Sequence, residues 1–119
     1  MGRIDLVTGG PNVRRKKSYI IGSVPLHRLR ESGGGLPGVL YPVPADVTDE
    51  ASVRALFDQA VERHGRVDLL FNNAGSFSPA RDLDTVPLAE WNAVVAVNLT
   101  GAFLCTREAF RVMRGQRPR

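Results

Sequence analysis

The stretch Leu69-Leu70-Phe71-Asn72-Asn73-Ala74-Gly75, LLFNNAG, sets three large apolar residues directly against two amides and two residues with almost no side chain. Val67 to Phe71 is short and nearly continuously apolar, the pattern of a strand covered on both faces. Ala74 and Gly75 leave room for a flat ligand to approach the backbone. Each asparagine offers donors and an acceptor to a neighbouring loop or to a ligand. In open parallel sheets, ligands bind beyond the carboxyl ends of the strands, which is where Asn72 to Gly75 stand. The residues by themselves fit equally well an Asn-rich turn that simply ends the strand.

Toward the N-terminus, Val53, Leu56, Phe57, Ala60 and Val61 recur at three- and four-residue spacing, one face of a helix. Thr48 is its expected N-cap, with Asp49 and Glu50 in the first turn, and Gly65 its expected stop. Before it, Val39 to Val43 reads as a strand, with Pro42 marking an edge or an irregularity. Strand, helix and strand with short links make a βαβ unit, so the two strands are expected to run parallel. Toward the C-terminus, Leu88, Trp91, Val95, Ala102, Thr106, Ala109 and Met113 keep helical spacing. One helix, or two in near-line, is expected from Leu88 to Arg114. Asn98 interrupts the apolar stripe and Gly101 weakens the helix locally.

With 119 residues the chain is sized for one small domain. Its hydrophobic share of 43% and charged share of 24% are ordinary for a globular protein. The single cysteine, Cys105, gives neither an internal disulfide nor a metal-ligand set, so no metal site is expected. The N-terminus lacks the apolar core of a signal peptide, and no unbroken run approaches the ~18 apolar residues of a membrane span. A cytoplasmic protein is the expectation. The net charge of +4 gathers at Arg14 to Lys17 and at Arg111 to Arg119. No aromatic residues interleave with these clusters. They read as a solvated loop and a basic tail rather than as a nucleic-acid surface.

Three motifs in order, ADVT at Ala45 to Thr48, NNAG at Asn72 to Gly75, and WNAVVAVNLTGAF from Trp91 to Phe103, resemble the short-chain dehydrogenase/reductase family. The resemblance covers about Val39 to Met113. It implies an α/β chain, a partial Rossmann-like doubly wound fold with parallel strands. Residues 1–38 then form an atypical N-terminal segment, 39–114 the core and 115–119 a basic tail. It further implies NAD or NADP as cofactor and hydride transfer between the nicotinamide and a small-molecule carbonyl or alcohol. Asp46, with Val47 beside it, matches the residue that meets the adenine ring. Asn73, Ala74 and Gly75 match residues that lie along the cofactor. Thr8 and Gly9 match the turn after the family's first strand. Asn98 matches the helical asparagine that distorts its helix and holds a water in the proton relay.

Two parts of the family pattern are absent from these residues. The family's acid is a tyrosine whose pKa, near 10 for a free phenol, is tuned by a lysine four residues on. Here Ser23 and Ala45 stand four residues after Tyr19 and Tyr41, and the only lysines are Lys16 and Lys17. The serine expected after a fifth strand is also missing, so the C-terminal catalytic part is read as lacking. After Thr8-Gly9, Gly10 to Lys17 offers neither further glycines nor an apolar helical face to carry a pyrophosphate. The link is also shorter than a parallel crossover. Gly33 to Gly35 reads as a loop. The chain is therefore expected to be inactive alone and to bind dinucleotide weakly. The alternative is a noncatalytic binding or subunit-interaction module, with Phe103, Phe110 and Met113 on the long helices forming a homo-oligomer surface.

Overall fold

The computed structural model describes residues 4–9, 18–22 and 38–41 as strands, and residues 43–117 together with their side chains. The basic cluster Arg14 to Lys17, the glycine run 33–35 and Pro42 lie outside the described residues.

Strands β1 (Ile4–Gly9), β2 (Ser18–Gly22), β3 (Gly38–Tyr41) and β4 (Leu69–Phe71) form one sheet in the order β3-β1-β2-β4. β2 and β4 pair in parallel, Tyr19 opposite Leu69 and Ile21 opposite Phe71. β1 is antiparallel to both β2 and β3. β3 and β4 therefore run in the same direction with two strands between them, as the βαβ pattern requires. The antiparallel β1 departs from the all-parallel expectation. Its physical reason is the short link: residues 10–17 fall below the dozen or so that a parallel crossover needs, whereas antiparallel neighbours need only a tight connection.

Helix α1 (Glu50–His64) follows β3. Its N-cap is Asp49, not Thr48. Asp49 accepts from the backbone N–H groups of Ala51 and Ser52, at 3.2 and 3.3 Å, while the Thr48 hydroxyl is engaged by Asp46. A cap of this kind contributes about 1 kcal/mol. Gly65 ends the helix at φ 72°, its N–H donating to the Val61 carbonyl at 2.7 Å. That left-handed conformation is costly for any residue with a Cβ.

The segment from Leu88 onward is α2 (Leu88–Val95), a π-helical turn (Ala96–Gly101) and α3 (Ala102–Arg114). The expected apolar stripe does not survive this break. Leu88 and Trp91 are 72% and 59% exposed, and the buried positions are Val97, Gly101, Leu104, Cys105, Glu108 and Ala109. A π turn inserts a residue into the α register, so a stripe drawn at uniform 3.6-residue spacing changes face across it. Taken as one unit, Leu88–Arg114 contains an 18-residue window of mean hydropathy 1.3, long and apolar enough by composition to cross a membrane. The sequence reading sought an unbroken apolar run, which Asn92, Asn98 and Thr100 conceal.

α1 and α3 lie on one face of β4. Val53, Leu56, Phe57 and Ala60 of α1 join Val47, Val67, Leu104, Cys105 and Ala109 in one core, with Leu70 against it. Leu69 and Phe71 point the other way, 48% and 54% exposed, because successive strand residues face opposite sides. The covering of both faces read from the apolar run is thus a covering of one. Ion pairs lace α1 to α3: Arg111 to Asp58 at 2.6 Å, and Arg107 to Glu50. Glu108, 5% exposed, is neutralised by Arg111. These carboxylates, Glu108 before Asp58, push the Arg111 pKa upward.

Candidate functional site

Because β3 and β4 share a direction, the chain leaving β3 and the chain leaving β4 emerge at the same end of the sheet. That places residues 43–48 near Asn72 to Gly75. Asp46 is built into a turn: its Oδ1 accepts from the Thr48 N–H at 2.9 Å and the Thr48 hydroxyl at 2.8 Å. Its own N–H donates to the Ser52 hydroxyl at 2.9 Å. The Thr48 backbone and hydroxyl donors hold its carboxyl below the usual value, so Asp46 is an anion near neutrality. Val47, next to it, is 1% exposed and packs inward.

Asn98 arrives from the π turn. Its Oδ1 accepts from the Ser76 N–H at 2.8 Å and its Nδ2 donates to the Ser76 carbonyl at 3.0 Å. One side-chain amide thus satisfies both main-chain groups of a single loop residue and ties the loop after β4 to the helix. Asn72 adds a second tie, its Nδ2 donating to the Thr106 hydroxyl of α3 at 3.1 Å. Gly101 allows the approach. A Cβ there would lie 2.7 Å from Val47 Cγ2 and 3.3 Å from the Val47 carbonyl.

A pocket of about 60 Å³ opens at this end of β4, lined by Val47, Asn73, Ala74, Asn98, Gly101 and Cys105 among others. Cys105 is 2% exposed, and burial pushes its thiol up to about 11. It is protonated near neutrality and no nucleophile. Among the described residues, the pocket therefore offers shape and amide hydrogen bonding, with no group poised to exchange a proton. Among the described residues no group of three His, Cys, Asp or Glu is arranged to hold a metal ion.

Of the residues singled out in the sequence, Val47, Asn73, Ala74 and Asn98 meet at this pocket, with Gly75 beside Asn98. Asp46 lies next to Val47. Thr8 and Gly9 do not join them. Thr8 pairs with Ser18 and Gly9 with Gly38, at the starts of β2 and β3. Since β2 and β3 run with β4, that is the opposite end of the sheet from Asn72 to Gly75. The antiparallel course of β1 carries the Thr-Gly turn away. Sequence reasoning missed Ser76, the partner of Asn98, and Gly101 as the point of close approach. A glycine three residues after the asparagine that interrupts the apolar stripe was the available signal for the latter. It also missed Gln116. Its side chain accepts from the Val67 N–H at 2.7 Å and donates to the Val67 carbonyl at 2.9 Å.

The profile of the family described as short chain dehydrogenase matches residues 23–118. The cis-4-hydroxycyclohexanecarboxylate dehydrogenase of Sinomonas cyclohexanicum is 44% identical over 71 residues, covering 60% of this chain and 28% of that enzyme. A short-chain type dehydrogenase/reductase from Mycobacterium marinum superposes with a TM-score of 0.69 at 32% identity, over 74% of this chain and 35% of that one. The 3-ketoacyl-(acyl-carrier-protein) reductase of Brucella melitensis, solved in complex with NADH, superposes with a TM-score of 0.57 at 36% identity, over 59% of this chain and 29% of that one. The chain thus corresponds to about a third or less of the length of these proteins.

Proposed function

Since the chain belongs to the short-chain dehydrogenase family, we propose that the end of β4 is the nucleoside-facing part of a nicotinamide-dependent oxidoreductase acting on small carbonyl or alcohol substrates in the cytoplasm. Asp46 and Val47 face the adenine side, and Asn73, Ala74 and Gly75 lie along the nucleoside. Asn98 is the relay position. The observation that carries this reading is the clamp of Asn98 on Ser76 beside a pocket lined by Val47, Asn73 and Ala74. With one bond from each side-chain group spent on Ser76, Asn98 keeps a second Nδ2 hydrogen and a second Oδ1 lone pair, beside the main chain of the π turn, with which to hold a water.

The residues present fit the nucleoside portion of the cofactor. Ala74 and Gly75 leave the backbone approachable, and Asp46 is a fixed anion. They do not fit the pyrophosphate, because Thr8 and Gly9 stand at the other end of the sheet. Nor do residues 1–119 hold a tyrosine with a lysine four residues on. Acting alone, this chain is proposed to bind nucleosides weakly and to turn nothing over. Calorimetric titration with adenosine, NADH and NADPH tests the reading, alongside an absorbance assay for reduced cofactor over a panel of alcohols and carbonyls. The expected result is that the dinucleotides gain nothing over adenosine and that no turnover appears. A dinucleotide binding a hundredfold tighter than adenosine, or turnover abolished by Asn98→Ala, overturns it.

A second reading has its own observation. Phe103 and Phe110 are 58% and 70% exposed, opposite the buried face of α3. A noncatalytic module that associates with a second copy through this face would show concentration-dependent sedimentation, lost in Phe110→Ser.

A further inference from the structure

The loop after β4 is fastened to α2 at one residue. The Ser78 hydroxyl donates to Glu90 Oε1, and Arg81 Nη2 reaches Glu90 Oε2 at 3.2 Å. Glu90 lies in the first turn of α2, a helix whose N-cap, Pro87, supplies no side-chain acceptor. Hydroxyl, guanidinium and carboxylate thus form a clip that is neutral overall and close to uncapped helix N–H groups. Ser78 is exposed and sits in irregular chain, where a modifying enzyme can seat an extended segment. It is also the only serine or threonine in the chain followed by proline, and the run is Ser78-Pro79-Ala80-Arg81. Proline-directed protein kinases select a hydroxyl followed by proline and favour a cation three positions on.

The geometry points to Ser78 as a phosphorylation site whose modification opens the Glu90 clip. The donor is a nucleoside triphosphate held by the kinase. Ser78 Oγ attacks the γ-phosphorus, the bond to the bridging oxygen breaks and the nucleoside diphosphate leaves. The hydroxyl proton passes to the kinase's base and then to solvent. The phosphoserine carries about −1.5 to −2 charge and has lost its donor proton. Set against Glu90 it exchanges a hydrogen bond for like-charge repulsion. Arg81, a planar fork suited to phosphate, moves from Glu90 to the phosphoryl oxygens. The helix N-terminus favours the same anion. Glu90 is left without either partner, and the first turn of α2 loses its hold on the loop.

Trp91, the only tryptophan, follows Glu90 directly and reports this change. The test is to incubate the full chain with a proline-directed serine/threonine kinase and ATP, locate the phosphate by tandem mass spectrometry, and record Trp91 emission. The expected result is one phosphate at Ser78, none in Ser78→Ala, and a red shift of Trp91 on modification. Glu90→Gln keeps an acceptor for Ser78 but has no charge to repel the phosphate. It should be phosphorylated equally with the shift lost. Absence of phosphate at Ser78 in the folded chain, an unmoved Trp91 spectrum, or an undiminished shift in Glu90→Gln overturns the proposal.

Discussion

Two side-chain amides hold the two ends of β4, and they do so in the same way. Gln116 takes both main-chain groups of Val67, just before the strand, and Asn98 takes both main-chain groups of Ser76, just after it. The bonds are alike in number and nearly alike in length. Their surroundings are not. Val67 is 0% exposed and belongs to the core, whereas Asn98 is exposed at the mouth of a pocket. A hydrogen bond counts for little when water stands ready to replace it and for much when the groups left behind are sealed. The same device is therefore architectural at the entry of the strand and adjustable at its exit.

The largest expected effect follows from that contrast. Gln116→Ala leaves the N–H and C=O of Val67 buried and unsatisfied. It should cost about 2–4 kcal/mol, measured by urea denaturation. A loss no larger than that of Asn98→Ala would break the comparison. Next comes Gly101→Ala. The added Cβ meets Val47 at 2.7 Å, with its main chain close behind, so the π turn must shift. Overpacking of this kind costs roughly 1–3 kcal/mol. It should also loosen the Asn98 clamp, seen as faster hydrogen exchange at the Ser76 amide with the Val67 amide unchanged.

The sequence made the elements around β4 legible because their signals are local. The i, i+3, i+4 spacing from Val53 to Val61 marked α1, and Gly65 its end. Val47, Asn73, Ala74 and Asn98 were brought out by the family resemblance of the motifs that carry them, and they meet at one pocket. What escaped is what depends on distant partners. The cap fell on Asp49 because Asp46 had already engaged Thr48. The stripe from Leu88 to Met113 changed face because a π turn cannot be read from periodicity. Thr8 and Gly9 went to the far end because pairing, not propensity, sets the direction of β1, although the short link after them was a clue. Gln116, in a segment read as a basic tail, gave no local sign that it reaches back to Val67.

Smaller effects sharpen the contrast at the exit of the strand. Asn98→Ala should cost only about 1 kcal/mol, since water replaces the lost bonds. Its measurable consequence is a faster-exchanging Ser76 amide. Ser76→Ala should be the mildest change and of opposite sign. The Ser76 hydroxyl is buried with no hydrogen-bond partner among the described residues, so removing it should raise the unfolding midpoint slightly, by less than about 1 kcal/mol in equivalent stability. A fall in the midpoint would mean that the hydroxyl has a partner that matters.

Cys105 turns this arrangement into a gauge of its own opening. It is the chain's single thiol, sealed beneath the pocket between the two clamps, and burial holds its pKa near 11. Near neutrality an alkylating reagent finds neither access nor thiolate until α3 lifts from β4. Under those conditions the labelling rate, divided by the rate for a free cysteine, is the equilibrium constant for that opening. A ligand that fills the pocket must slow the labelling, and a loosened strand entry must speed it, so one chemical trace reports how large a fraction stands open beneath the pocket without any engineered probe.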